Sequence, residues 1–334
     1  MADLTAVLAS THHPFYLRAT TDHSEHRMPQ ADEWQRKVEA YRETLTAAEP
    51  DVLVMVGADH FHQFFLDNYP TFLIGKQEKY DATFYNEVRE FGLPEYLLDG
   101  DVELSNHLHQ GLLDAGFDFS FSHELKIDHS IVCPIITVRP QADLPVVPIY
   151  TNIFAPPLPS PKRFWDLGRA IREIIDAWPS DKKVAAIGTG HLSLELGGPR
   201  MFGEHGPDPD FDARAIEWLS TGNIEAILAD VTHESMAAAG NATHGFMDLI
   251  LMMGIAGPEE ADYVDQLDLF HTREMFMTWY PARTEKLSAA AARAAESSGA
   301  VLGPVLAPAD SATGTADDTA QVTVQDTSKE GASA

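Results

Sequence analysis

Apolar and polar positions along the chain alternate between two kinds of stretch. Short runs dominated by apolar residues, at Leu4 to Ala9, Asp51 to Gly57, Thr71 to Gly75, Leu144 to Tyr150 and Lys183 to Ile187, predict strands buried on both faces. Between them, apolar residues recur at helical spacing. Glu33 to Ala48 is one such stretch, with Trp34, Val38, Tyr41 and Leu45 on one face; Val102 to Ala115 and Phe164 to Trp178 are others. From Asp212 to Gln266 the pattern predicts several helices. Pro148 cannot donate to a sheet ladder, so its strand is expected near an edge. Strands that are apolar throughout and alternate with helices imply an α/β fold: a largely parallel sheet flanked by helices on both faces, with a helical C-terminal part. From about Ala289 the chain is rich in Ala, Ser, Thr, Gly and Asp and poor in aromatics. The organisation expected is therefore one domain over 1–287 and a mostly disordered tail over 288–334, although the alanines of 289–295 could extend a helix.

Composition narrows the partners. The chain has 334 residues, 44% hydrophobic, enough for a sizeable core. Its formal net charge of −28 argues against nucleic acid or an anionic membrane as a partner. No apolar run is long enough to span a bilayer, and the N-terminus lacks the features of a secretory signal, so a cytoplasmic protein is expected. One cysteine, Cys133, lies in an apolar run and reads as a packing residue; it excludes a cysteine-cluster metal site.

Fifteen histidines are many for this length, and three of them follow predicted strands. His12 closes the first in Ser10-Thr11-His12-His13-Pro14, His60 the second in Ala58-Asp59-His60-Phe61-His62, and His191 a later one in Gly188-Thr189-Gly190-His191. Ligands of open parallel sheets bind beyond the carboxyl ends of the strands, and imidazoles gathered there suit a divalent transition metal. Taken singly, such a histidine is more often a solvated loop residue; the coincidence of three is what favours a shared site. His62 reads as a support or surface residue, and His107 and His109 as surface residues. His129, in Ile127-Asp128-His129-Ser130, is expected on a loop entering a strand, where Asp128 could orient a neighbour or merely make a turn. His244, in Asn241-Ala242-Thr243-His244-Gly245, is expected in the first turn of an apolar helix, with or without a ligand role.

At these residues the chain resembles the class III extradiol ring-cleavage dioxygenases, of the protocatechuate 4,5-dioxygenase beta-subunit and dihydroxyphenylpropionate dioxygenase type. The resemblance rests on Asp59-His60-Phe61-His62-Gln63-Phe64-Phe65, on Pro70 to Gly75, on Val146 to Asn152 with Ala155-Pro156-Pro157, and on the order of these segments over about residues 4 to 280. It implies a catalytic domain over 1–287. It also implies Fe(II) held by two histidines and a glutamate, with His12 and His60 as the histidines and His129 as an acid–base residue. Two positions depart from the family pattern. Gly245 stands where the glutamate is expected, beside His244, and Leu194 stands where many members carry a histidine, with His191 earlier.

The expectation is therefore a metal held by His12, His60 and His244, with His129 and His191 in catalytic roles. The reaction implied is Fe(II)-dependent cleavage of a small catechol-like aromatic by O2. Two alternatives stay open: a metal-dependent hydrolase or decarboxylase on the same fold, and a non-catalytic paralogue subunit of a dioxygenase complex. The resemblance further implies an oligomer, of identical chains or with a small subunit.

Overall fold

A computed structural model describes residues 1–21, 25, 27–202, 205–269 and 272–300. In chain order the elements are β1 (Asp3–Thr11), α1 (Tyr16–Thr20), α2 (Ala31–Ala48), β2 (Val52–Gly57), β3 (Phe72–Gly75), β4 (Lys79–Ala82), α3 (Tyr85–Phe91), β5 (Tyr96–Asp99), α4 (Val102–Asp114), β6 (Ser120–Ser122) and α5 (His129–Val138). There follow β7 (Val146–Thr151), α6 (Pro161–Ala177), β8 (Lys183–Gly190), α7 (Pro209–Ser220), α8 (Ile224–Asp230), α9 (His233–Ala239), a 3-10 turn at Thr243–Gly245, α10 (Phe246–Ala256), β9 (Tyr263–Leu269), β10 (Thr272–Trp279) and α11 (Glu285–Ser298).

Eight strands form one sheet in the order β6-β3-β7-β2-β8-β1-β10-β9. Its centre, β7-β2-β8-β1, is parallel throughout, as the apolar runs imply. Alternate residues of these strands face opposite ways, and each set finds its own helical layer. Val7, Val54, Ile149 and Ala186 pack with α6 and α10, whereas Leu8, Met55, Tyr150 and Ile187 pack with α2, α5 and α11. Among the described residues no helix is long and apolar enough to cross a membrane.

Several details differ from expectation. Pro148 lies not near an edge but in β7, third from one side of the sheet; the pairing of β7 with β3 stops at Ile149, so on that side the missing donor breaks no ladder. The segment after His129 is a helix, not a strand. The Asp128 side chain caps it by accepting from the Ser130 N–H, and its β-branched, proline-containing sequence concealed the helical period. The last residues of the expected helical region, from Tyr263, instead enter a hairpin in which β9 is antiparallel to β10, and β10 is antiparallel to β1. Asp265 and Glu274 interrupt the apolar pattern of that hairpin while pointing inward, Asp265 against Lys37 Nζ at 2.6 Å. The alanine run does form a helix, α11, which buries Leu287, Ala290, Ala291 and Ala294 against its neighbours. The boundary expected at 288 therefore falls inside an ordered element; the rest of the expected tail, 301–334, lies outside the described residues. Cys133 is buried, as expected of a packing residue.

The helical layer over the candidate site is set by two glycines. A Cβ on Gly168 of α6 would lie 2.1 Å from the Leu251 carbonyl oxygen, and one on Gly254 of α10 would lie 2.6 Å from that of Trp165. Backbone atoms cannot swing aside as side chains do. Gly168→Ala is expected to destabilise the fold by about 1–3 kcal/mol, the usual cost of overpacking. Urea denaturation with an unchanged midpoint would show that the helices are not this close.

Candidate metal centre

The three strand-end histidines converge because of the strand order. β2, β8 and β1 are adjacent and parallel, so their carboxyl ends lie side by side, with Thr11 opposite Gly190 and Val56 opposite Gly188. His12 follows β1 directly and its backbone N–H donates to the Gly190 carbonyl at 3.3 Å. Ligating nitrogens of His12, His60 and His191 all lie within 4.8 Å of one another. Two imidazole nitrogens on one ion are at most about 4.2 Å apart, so a small closure would complete the set. The donors fit a divalent transition metal. His12 is buried, and neither of its ring nitrogens has a hydrogen-bond partner among the described residues. Burial, followed by the neighbouring His191, His60 and His129, pushes the His12 imidazole well below its ordinary pKa and keeps it in the neutral form that ligates. The same holds for His191, where burial is again the largest cause.

His60 is fixed by a neighbouring carboxylate. His60 Nδ1–H donates to Asp128 Oδ2 at 2.9 Å, and the His60 backbone N–H donates to the same oxygen at 3.0 Å. This leaves Nε2 as the ligand atom. The other carboxylate oxygen accepts from Ser130 Oγ at 2.6 Å and Tyr150 Oη at 3.1 Å. Burial pushes the Asp128 carboxyl up, but the hydrogen bond and charge of His60, with His129 and Ser130, more than offset this and hold it well below the usual carboxylate range. Asp128→Asn is expected to weaken metal affinity about 10–100-fold, the usual cost of losing such a support. Competition with a chromophoric chelator measures it, and an unaltered affinity would remove Asp128 from the site.

The loop carrying His60 is unusual. Phe61 has a left-handed backbone, φ 56°, which a bulky residue adopts only under constraint. The constraint is the buried Asp59 carboxylate, which accepts backbone N–H bonds from His62 at 3.1 Å, Gln63 at 3.1 Å and Phe64 at 3.0 Å. Tyr69 donates its hydroxyl to the Asp59 carbonyl.

His129 stands beside the three, its ring centroid 4.0 Å from that of His60 and 5.5 Å from that of His12. Its Nδ1–H donates to Glu87 Oε1 at 2.6 Å, and its backbone N–H donates to the same oxygen at 2.8 Å. Glu87, fully buried, was not singled out by the sequence; an acidic residue in the first turn of a helix reads as a surface dipole partner. His62 contacts the same groups, 3.7 Å from both Glu87 and Asp128, and its Nε2 accepts from Asn86 Nδ2 at 3.0 Å, a supporting position. His109, expected at the surface, is instead buried with its Nε2 3.4 Å from the Phe119 carbonyl.

His244 does not join His12 and His60. It lies on the 3-10 turn before α10, where successive side chains diverge by about 120°, and its ring stacks on His233 at 5.5 Å. Gly245 is the residue that faces the site. A Cβ there would lie 2.7 Å from His191 Cδ2 and 2.9 Å from the His191 backbone nitrogen. The His191 ring therefore occupies the direction in which a side chain at 245 would project. A glycine at 245 and a histidine ring at 191 are thus sterically coupled.

Comparison with known proteins agrees with this architecture. Residues 6–276 match the family model described as the catalytic LigB subunit of aromatic ring-opening dioxygenase. A 2,3-dihydroxyphenylpropionate/2,3-dihydroxicinnamic acid 1,2-dioxygenase of Rhodococcus globerulus is 32% identical over 154 residues, 46% of each chain. A protein of the same name from Xanthobacter autotrophicus is 30% identical over 220 residues, 63% of this chain and 67% of its own. A gallate dioxygenase of Pseudomonas putida is 31% identical over 144 residues, 42% of this chain and 41% of its own. The first of these matches thus spans about half the length of the curated relative. The solved structure of an uncharacterised protein from Escherichia coli K12 shares the fold, with a TM-score of 0.52 at 15% identity over 82% of this chain and 99% of that one. Together with the extent of the family match, the strand-end histidines on a mostly parallel sheet establish that the chain belongs to the family of catalytic LigB subunits of aromatic ring-opening dioxygenases.

Proposed function

We propose that the protein is a non-haem Fe(II)-dependent extradiol dioxygenase that opens the ring of a catechol-like aromatic with O2, its metal held by His12, His60 and His191. The observation that supports this most directly is the convergence of the three imidazoles, with His129 beside them, in a chain of the ring-opening family. The ion, when bound, supplies Lewis acidity toward the catechol oxygens and a redox centre for O2. The protein's own residues do the rest. Asp128 fixes the tautomer of His60, and Glu87 that of His129. With Nδ1–H committed to Glu87, His129 Nε2 is the atom that takes a catechol hydroxyl proton. Burial, and after it the adjacent His60, pushes the His129 imidazole well below its ordinary pKa, so it is present as the neutral base. Phe154, its ring 5.0 Å from that of His60, gives the site an apolar wall.

The donor set also supports a second reading. Three neutral imidazoles leave the ion its full double charge, which suits Lewis-acid hydrolysis or decarboxylation. The test is anaerobic reconstitution with Fe(II), addition of a catechol panel, and then air. Oxygen uptake with a ring-opened product supports the dioxygenase. Turnover without oxygen uptake, equally with Zn(II) or Mn(II), would replace it by the second reading. Absence of both metal binding and turnover would leave a non-catalytic subunit.

A further inference from the structure

His244 and His233, which the metal centre does not use, wall a cavity of about 530 Å3. That size falls within the roughly 300–1,000 Å3 of small-molecule pockets. Its other wall is apolar: Ile153, Phe154, Pro156 and Leu158, from the segment after β7. Two of its lining residues adjoin the candidate metal ligands. Phe154 packs its ring against His60, and His244 precedes Gly245, whose backbone abuts His191. The cavity is thus placed beside the candidate ligands His60 and His191.

Its chemistry narrows what could occupy it. Among the described residues lining it there is no lysine or arginine, and the one formally charged side chain is the carboxylate of Glu234. Burial, and after it His233, pushes the His244 imidazole below its ordinary pKa, so it adds no cation. A carboxylate on the substrate would be desolvated here against apolar carbon, with no fixed positive charge to receive it and an acidic residue nearby. The names of the relatives above specify acids.

Resting on the dioxygenase reading, we propose that the cavity between the Ile153–Leu158 segment and the His233–His244 pair receives the substituent of the substrate ring, and that this substituent is an uncharged aryl or alkyl group. The two imidazoles and Asn241 would offer hydrogen bonds to a neutral polar end without requiring one.

The experiment has two readouts on the Fe(II)-loaded protein: kcat/KM for 3-phenylcatechol and 3-butylcatechol against 3-(2-carboxyethyl)catechol, and anaerobic calorimetric binding of the same three compounds. The uncharged catechols are expected to be favoured roughly 10-fold or more, the worth of a filled apolar pocket. Ala237→Trp, which projects a large ring into the same cavity, is expected to bring that ratio to within about threefold. A preference for the carboxyethyl compound, or a ratio that Ala237→Trp leaves untouched, overturns the cavity assignment while leaving the dioxygenase reading intact. Selective binding of the uncharged compounds without cleavage of any catechol overturns the dioxygenase reading and supports the cavity. Neither binding nor cleavage overturns both.

Discussion

Replacing His191 by alanine is expected to lower metal affinity by more than about 100-fold, beyond the range of supporting residues, and to abolish ring opening. Adding Gly245→Glu to that variant should recover a substantial part of the affinity. The reasoning is steric. With His191 in place, any side chain at 245 begins 2.7 Å from its ring, so Gly245→Glu alone should disrupt the site. With the ring removed, the backbone nitrogen of residue 191 at 2.9 Å and its Cβ at 3.0 Å remain, so the turn carrying residue 245 has to shift to admit the glutamate. A carboxylate could then approach from the start of α10 toward His12 and His60. Iron content after anaerobic loading, measured for the wild type, both single variants and the double variant, gives the coupling directly. Purely additive losses would mean that 191 and 245 do not exchange one ligand position.

The second large effect concerns pH. Glu274 on β10 is 1% exposed. Its Oε2 accepts from Thr11 Oγ1 at 2.7 Å, while Oε1 is buried with no partner among the described residues. Burial pushes its carboxyl up to about 8, the Thr11 hydrogen bond acting weakly against it. In the unfolded chain the same group titrates at about 4.3. Between these two values the folded protein retains a proton that the unfolded chain releases. The stabilising contribution of the neutral carboxyl is therefore complete below about pH 4.3 and is lost progressively as pH rises through 8, at up to about 1.4 kcal/mol per pH unit. Over the whole window the loss is on the order of 5 kcal/mol. Glu274→Gln keeps the acceptor for Thr11 and removes the titration. Its stability should match the wild type near pH 5 and exceed it by a few kcal/mol above pH 8. Asp212 and Asp248, both raised to about 7 by burial, also contribute to the wild-type slope, so the difference between the two profiles is the quantity to read. Parallel profiles would mean that Glu274 is solvated or paired.

The parts of this architecture that one short segment determines were legible before the structure. The apolar runs ending in His12, His60 and His191 predicted both their strands and their shared edge, because burial on both faces leaves a central strand mostly apolar. Where polar residues point inward, as Asp265 and Glu274 do, the apolar pattern breaks, and the start of β9 up to Gln266 is hidden at the end of an expected helical stretch. Helix α5 was hidden because Ile131, Val132 and Ile135 favour strands and Pro134 suggests a break, while the cap that starts it is a single aspartate. That His191 and not His244 completes the cluster with His12 and His60 was hidden for a different reason. His244 stands next to the expected ligand position in sequence, yet one step along a tight turn redirects a side chain by about a third of a revolution. That His191 fills the space over Gly245 depends on the crossing of α10 over the end of β8, a packing relation between residues far apart in the chain.

The fastening of the loop after β2 bears on how an ion would be received. With three backbone N–H groups already bound to the Asp59 carboxylate, and with His60 held at both its backbone and its ring by Asp128, few torsions remain to be frozen when ligation occurs. Ordering even one residue from a free chain costs about 1–2 kcal/mol. A loop that had to organise itself around the ion would lose that amount several times over. Here the left-handed turn at Phe61 has been accepted during folding, and its cost appears in the stability of the protein. The affinity of the site for metal is correspondingly freed from the entropy of assembling it.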